Sequence, residues 1–245
     1  MAKVNIITRA FNRLEYTAKC IYSVDKHAGT DDYTHIIINQ ASTDGTKQFL
    51  NSLLYEGYYK LKVKHNEVNS GDAGGMKDGF DMLDDDCEYI MQWDNDCEAL
   101  TPNFLSELIN VMDEHPVIGC IMLKRSGIES DVYVLKPTRV RDICGHQMGD
   151  LPQATCVTIF RRSDLAKINA WFYKEKIGWG FYVTRALAAM GKRVLKCLDL
   201  KVYHIDGEMW PEGMPGQAVK YKKYFGRKTH RGSNYLSIDY ENYNT

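Results

Sequence analysis

Residues 89–98 read YIMQWDNDCE. Tyr89 to Trp93 suit a buried strand, and the chain then runs straight into Asp94, Asn95 and Asp96. A strand that ends on D-x-D sets two carboxylates on one side of the chain, because side chains alternate with period two. Two hard oxygen ligands at a solvent-facing rim suit Mg²⁺ or Mn²⁺. Such ions take one or two carboxylates and complete their shell with phosphate oxygens. The competing reading makes Asp94 and Asp96 plain turn residues that cap the next helix. The sequence on either side decides between the two.

Strand and helix alternate through the first 115 residues or so. Residues 4–8 make a short buried-type strand. Asn12 with Glu15 three later has the form of a capping box, ahead of a helix whose Leu14, Ala18 and Ile21 share one face. HIIIN (35–39) is a second strand, and ASTDGT is a turn in which Ser42 or Asp44 caps a helix at 46–54. LKVKH (61–65) is a third strand, followed by the glycine-rich turn NSGDAGG and a helical stripe of Ala73, Met76, Phe80 and Leu83. After the fourth strand, EYIMQW, a capping Thr101 and Pro102 at the first helical position open a helix. Its stripe is Phe104, Leu105, Leu108 and Met112. This alternation predicts a mostly parallel α/β sheet with right-handed crossovers. Ligands of such sheets bind beyond the carboxyl ends of the strands. TRAFNR, NQASTDG, NSGDAGG and DND all stand at those ends, so four polar motifs converge on one rim and favour a site.

The second half is less regular. Residues 122–152 read as loop-rich, ATCVTIFRRSDL as a strand leading to a capped helix, and GFYVTRALAAMG as a helix ended by Gly191. KVYH closes a last strand at His204. From 213 to 238 there is no acid, while Lys220, Lys222, Lys223, Arg227, Lys228 and Arg231 are all basic.

The chain has 245 residues, 44% hydrophobic and 26% charged, which suits one large domain or two fused lobes with a sizeable core. A net charge of −1 gives no sign of a polyanionic partner. No apolar run approaches the ~20 residues of a transmembrane segment, and MAKVNIITRAFNR is neither a secretory signal nor a transit peptide. A cytoplasmic protein is expected, with a peripheral place on a membrane surface as the alternative. Seven cysteines, at 20, 87, 97, 120, 144, 156 and 197, have no CxxC spacing. They read as reduced buried thiols, not as a zinc site or disulfide framework. Cys97 beside the acidic triplet is a single thiol and does not make a metal site.

Taken in order, these segments resemble a GT-A glycosyltransferase of the family 2 type, from residue 4 to about 204. VNIITRAFNRLEYTAKCIYSV resembles that family's first strand, turn and helix. IIINQASTDGT resembles its nucleotide-binding segment, and NSGDAGGMKDGF its glycine segment, with a GG pair similar to the galactofuranosyltransferase branch. YIMQWDNDCEALTPNFLSEL resembles the strand, D-x-D and helix. CVTIFRRSDL resembles the segment that holds acceptor and donor sugar. GWGFYVTRALAAMGKRVLKCLDLKVYH resembles the final helix, strand and metal-facing histidine.

The resemblance implies a Rossmann-like, mostly parallel sheet flanked by helices. The nucleotide-sugar half would be 1–120, the acceptor and catalytic half 121–212, and the basic, tyrosine-rich end 213–245. It implies a metal-dependent hexosyl- or pentosyltransferase that uses a nucleotide sugar, a UDP-sugar first, with Mn²⁺ or Mg²⁺ as cofactor. Asp94, Asp96 and His204 would hold the metal. Thr8, Arg9, Phe11, Asn39, Trp93, Asp94 and Asn95 would meet the donor. So would Gly71, Gly74, Gly75 and Lys77, against which stand a plain turn for the glycines and a solvated helix face for the lysine. Asp44 stands in the same donor segment, although a helix cap is the favoured reading. Trp179 and Arg162 would face the acceptor. The sequence departs from the family at Asn39, where Asp is usual, and in lacking any acid from 176 to 198, where the general base is expected. Glu175 is the first substitute, with Asp206 and Glu208 as alternatives. The acceptor would be a glycan, a lipid-linked molecule or nucleic acid carrying a modified base, as for phage DNA glycosyltransferases; a silent sugar-nucleotide binding module is the other alternative. A nucleotidyltransferase is less suited, since TRAFNR has no glycine.

Overall fold

The computed structural model describes residues 3–126, 136–152, 154, 156–170 and 179–204. The first half alternates as the hydrophobic pattern predicts: β1 (Lys3–Ala10), α1 (Leu14–His27), β2 (Tyr33–Gln40), α2 (Thr46–Tyr55), β3 (Leu61–Asn66), α3 (Gly71–Phe80) and β4 (Cys87–Asp94). A short β5 (Cys97–Ala99) precedes α4 (Phe104–Glu114). The second half adds β6 (Ile118–Ser126), β7 (Thr138–Ile143), β8 (His146–Asp150), β9 (Thr158–Arg161), α5 (Arg162–Lys167), α6 (Trp179–Ala189) and β10 (Arg193–His204).

One sheet carries both halves, in the order β3-β2-β1-β4-β9-β6-β10-β8-β7, with β5 pairing on β10 off this path. β3, β2, β1 and β4 run parallel. The reversed β9 sits between β4 and β6 and is antiparallel to both. β4, β6 and β10 therefore point the same way, and their carboxyl ends share a rim with those of β1 and β2. The two halves read from sequence are thus continuous through β9.

Period-two alternation assigns the strand side chains to two faces. Val4 and Ile6 of β1 and Tyr89, Met91 and Trp93 of β4 pack with Cys20 and Val24 of α1 and Phe104, Leu105, Leu108 and Met112 of α4. Ile7, Ile36, Ile38 and Ile90 pack the other face with Met76 of α3, Leu165 of α5, and Trp179, Val183 and Leu187 of α6. Each fully buried side chain of this size contributes about 1.5–3 kcal/mol. With both faces covered, the rim is the open part of the sheet.

Four local expectations are corrected. The Asn12–Glu15 capping box does not form. Asn12 and Arg13 adopt left-handed backbone, φ 55° and 62°, and Asn12 Oδ1 accepts the Thr43 N–H at 2.8 Å. The Leu14 N–H is held instead by Asp44 Oδ2 at 2.8 Å, from a loop 30 residues away. The glycine-rich turn is largely helix, because α3 starts at Gly71, whose φ of 71° makes the corner. Thr101 and Pro102 precede α4; Thr101 Oγ1 accepts the Lys201 N–H at 2.9 Å. Within the supposedly loop-rich 122–152, β7 and β8 form a hairpin that pairs through β8 with β10. All of β7 up to Asp142 is exposed, so no apolar period marks it. Its turn, Cys144–Gly145, has positive φ at both residues, the geometry of a tight hairpin.

Candidate active site

Asp94 is the last residue of β4, and Asn95 and Asp96 form the turn into β5. β5 returns antiparallel to the end of β10, with Cys97 opposite His204. That pairing puts His204 Nε2 3.6 Å from Asp96 Oδ1. On the other side, β9 pairs with β4 so that Thr158 stands opposite Gln92. Two residues further along, Cys156 meets Asp94, with Sγ donating to Oδ2 at 2.8 Å. The donor atoms of Asp94, Cys97, Cys156 and His204 all lie within 4.8 Å of one another.

The turn is clamped from both sides. Trp93 turns into the core, 5.2 Å from the Phe104 ring, and its indole Nε1 donates to the Cys97 carbonyl at 2.9 Å. Asn95 Nδ2 donates to Thr17 Oγ1 at 3.1 Å and to the Asn12 carbonyl at 3.4 Å. Both residues therefore shape the D-x-D turn.

Guanidinium groups meet the carboxylates. Arg9 bridges Asp72 Oδ1 at 2.9 Å and Asp94 Oδ1 at 2.8 Å. Arg13 Nη1 donates to Asp96 Oδ2 at 2.6 Å, and Arg125 Nη1 stands 3.7 Å from Cys156 Sγ. Burial opposes the charged form of Asp94, but Arg9, the Cys156 thiol, His204 and Gln92 together outweigh it and hold the carboxyl below the usual range. Burial likewise works against the His204 imidazolium. Cys156, Asp96 and Asp94 overcome it and push the imidazole up to about 9. The Cys97 hydrogen bond draws the Cys156 thiol down, while burial drives Cys97 well up. One carboxylate, an imidazole and two thiols around one point, with the Asp96 carboxylate beside the imidazole, have the donor chemistry of a divalent-cation site.

Other predicted site residues lie elsewhere or do other work. Phe11 is exposed beyond the end of β1, at the rim. Thr8 is buried inside the sheet, its hydroxyl 2.9 Å from His35 Nε2, so it does not reach the rim. Asn39 is buried against His65 Nδ1 (3.0 Å), and its Oδ1 accepts the Ser42 N–H (3.2 Å). It holds the 41–44 loop and presents almost no surface to a nucleotide base. Asp44 also accepts from Thr46 Oγ1 at 2.6 Å, so both its oxygens serve helix starts. Gly74 and Gly75 lie within α3; a Cβ at Gly74 would meet Ser70, and one at Gly75 would fall 2.2 Å from Gln40 Nε2 and 2.8 Å from Arg9 Cγ. Gly75 is small because these side chains cross it. Lys77 pairs with Asp81 at 2.7 Å on an exposed helix face.

Arg162 lies away from the other site residues. Its Nη1 donates to the carbonyls of Asp84, Asp85 and Cys87, at the amino end of β4 and away from the rim. Trp179 lies in the core. It is buried between Phe80 and Phe160, at 5.4 and 5.2 Å, and Nε1 donates to the Ala170 carbonyl. It offers no open ring for a sugar. Glu175, Asp206, Glu208 and the basic 213–245 stretch lie outside the described residues. Cys156, Asp72, Arg13 and Arg125 were missed. A thiol and charges far apart in sequence carry no spacing signal; only the β4–β9 register and the turn at α3 bring them in.

A family model described as Glycosyl transferase family 2 matches residues 5–182. No curated protein sequence matches the chain. Among solved structures, the chain is similar to S. aureus TarS 1-349 in complex with UDP-GlcNAc, at TM-score 0.67 and 18% identity over 84% of this chain and 59% of that one. It is similar to the mannosyltransferase PcManGT from Pyrobaculum calidifontis in complex with GDP-Man and Mn²⁺, at 0.70 and 14% over 94% and 65%. A structure of GalNAc-T7 with UDP, GalNAc and Mn²⁺ gives 0.68 and 14% over 84% and 44%. The chain thus spans less than two thirds of the length of these neighbours. The likeness is one of fold: a mixed α/β GT-A architecture with a central sheet flanked by helices. No helix among the described residues is long and apolar enough to cross a membrane.

Proposed function

We propose that this chain, which belongs to glycosyl transferase family 2, moves a sugar from a nucleoside-diphosphate sugar to a hydroxyl acceptor with the help of a divalent cation. One observation carries the proposal: the pairing of β5 with β10 sets His204 beside Asp96, at the same strand ends that present Asp94 and Arg9. Asp94, Asp96 and His204 would hold the cation. When bound, it supplies positive charge to the leaving diphosphate. The chain's own residues do the rest. Arg9, fixed by Asp72, orients the Asp94 carboxylate. Arg13 holds Asp96 and neutralises its charge when no cation competes. Trp93 and Asn95 fix the turn on which both carboxylates stand.

A UDP-sugar is the first donor to test, since similar structures hold UDP-GlcNAc or UDP, with GDP-Man next. Mn²⁺ is the first ion for the same reason. Glu175, Asp206 and Glu208 are proposed as candidates for the general base that takes the acceptor proton. Calorimetry of UDP and GDP, with and without Mn²⁺, tests the site. Hydrolysis of radiolabelled UDP-, GDP-, CMP- and dTDP-sugars tests the chemistry. Nucleotide affinity that rises with the cation, together with release of sugar from one donor, is the expected result. Equal affinity with and without any divalent cation overturns the site.

A further inference from the structure

The Asp94–His204 corner carries two thiols that a hard-ion site does not need. Cys97 stands opposite His204 in the β5–β10 pair, and Cys156 Sγ lies 2.8 Å from Asp94 Oδ2. One carboxylate oxygen, one imidazole nitrogen and two sulfurs gather within 4.8 Å. In a tetrahedral zinc site, metal–ligand lengths of about 2.0–2.3 Å put donors roughly 3.3–3.8 Å apart. The widest pair here would need to close by about 1 Å. Mg²⁺ and Ca²⁺ favour oxygen donors, whereas thiolates select zinc-like ions, and S₂N-type tetrahedra are diagnostic of them.

We infer that Asp94, Cys97, Cys156 and His204 form a thiolate-bearing centre that takes Zn²⁺, or Co²⁺ in its place, ahead of Mg²⁺ and Mn²⁺. The inference rests on the reading that a divalent cation occupies this corner, and it changes which one. Binding releases the two thiol protons and the imidazolium proton of His204, and Asp94 Oδ2 turns from Cys156 to the ion. Two thiolates, one carboxylate and a neutral imidazole around Zn²⁺ sum to one negative charge. Arg9 on Asp94 and Arg125 beside Cys156 are placed to balance it. Such outer partners are the usual means of orienting and tuning ligands. Asp96 stays with Arg13 at the edge of the centre.

The test uses the full chain carrying Cys144→Ser, kept reduced with a phosphine. Cys144 lies 3.2 Å from Glu114 Oε2 and 3.3 Å from His115 Nε2, and would add surface ligation of its own. Titration with Co²⁺ should give one equivalent of binding, with sulfur-to-cobalt charge-transfer absorption and the visible bands of a tetrahedral ion. Cys97→Ser and Cys156→Ser should each halve the charge-transfer band and weaken Zn²⁺ binding at least about tenfold. Should either variant fail to fold, zinc-edge X-ray absorption on the Cys144→Ser chain serves instead, with two sulfurs per zinc at about 2.3 Å expected. A shell of oxygen and nitrogen alone, Co²⁺ bound without the charge-transfer band, no Co²⁺ binding, or Mn²⁺ displacing Zn²⁺ would each overturn the inference. None of these readouts contains a nucleotide sugar. An oxygen–nitrogen shell would still leave Asp94, Asp96 and His204 for a hard ion, and absence of sugar transfer would leave the sulfur ligation standing.

Discussion

Asp72 accepts the backbone N–H of Trp179, first residue of α6, at 2.9 Å through Oδ2, while its Oδ1 holds Arg9 at 2.9 Å. One carboxylate thereby ties α6 to β1 and, through Arg9, to the D-x-D turn. Replacing it should loosen α6 and free the guanidinium that orients Asp94. Asp72→Ala is expected to cost about 1–3 kcal/mol in urea unfolding, and to weaken cation-assisted nucleotide binding in the same protein. Asp72→Asn, which keeps an acceptor for the Trp179 N–H, should recover part of the stability and little of the binding.

Asp96 and Asp44 separate ligand binding from capping. Asp96→Asn should abolish the gain in UDP affinity that a divalent cation brings. Asp44→Ala should cost about 1–2 kcal/mol of stability, since it removes acceptors from two helix starts, and should leave that gain intact. Calorimetry and thermal melting of both variants, with Lys77→Ala as the surface control, distinguish the two roles. The exposed Lys77–Asp81 pair is worth less than about 1 kcal/mol.

Arg162 is expected to matter for stability alone. Its guanidinium satisfies three carbonyls at the amino end of β4, and a hydrogen bond to a charged group contributes about 1.5–3 kcal/mol net. Arg162→Ala should lower the unfolding free energy by about 2 kcal/mol and leave nucleotide affinity unchanged. A variant that folds as stably as the parent but loses acceptor use would restore the acceptor role.

Gly75→Ala sets two effects against each other. In a helix interior the change normally gains up to about 1 kcal/mol. Here the new methyl would stand 2.2 Å from Gln40 Nε2 and 2.8 Å from Arg9 Cγ, and overpacking of that kind costs about 1–3 kcal/mol. The clash wins, so the variant should be less stable. It should also bind nucleotide less well, because the displaced side chain is Arg9.

His35 gives the chain a pH-dependent stability. Burial lowers its imidazole to about 3 from an ordinary 6.5, so it stays neutral beside Thr8 in the sheet. Between those values the unfolded chain binds a proton that the folded chain refuses. Its contribution to stability is complete above pH 6.5 and is lost as pH falls towards 3, by about 1.4 kcal/mol per pH unit. Across pH 7, 6 and 5 the parent should lose more stability than a His35→Asn chain, the difference between their urea midpoints separating His35 from His65 and His204, whose shifts act in the same range.

The alternation of strand and helix in the first half, and the place of Asp94 and His204 at strand ends, were legible because period-two alternation and strand-end position are local properties. Which face of a strand looks into the cleft is not local. Thr8 and Arg9 are neighbours with opposite fates, and Trp93 points into the core although it adjoins Asp94. The positions of Trp179 and Arg162 were not legible for the same reason, since their partners are fixed by packing across the sheet. Cys156 could not be seen at all. It reaches Asp94, 62 residues earlier, only through the antiparallel register of β9 on β4. The Leu14 cap supplied by Asp44 is a further case of a local rule satisfied from a distance.

The register that pairs Cys97 with His204 also sets when the centre can exist. These partners lie about a hundred residues apart, and contacts of such long sequence separation close slowly, after the local βα units have formed. During synthesis Asp94 and Asp96 emerge long before β10 is available to complete the corner. Until then, Arg13 can hold Asp96 and Arg9 can hold Asp94, from elements already made. The two arginines would thus act as temporary counter-ions, keeping a half-built cluster from capturing a stray cation, and cation loading would report that the last strand has docked.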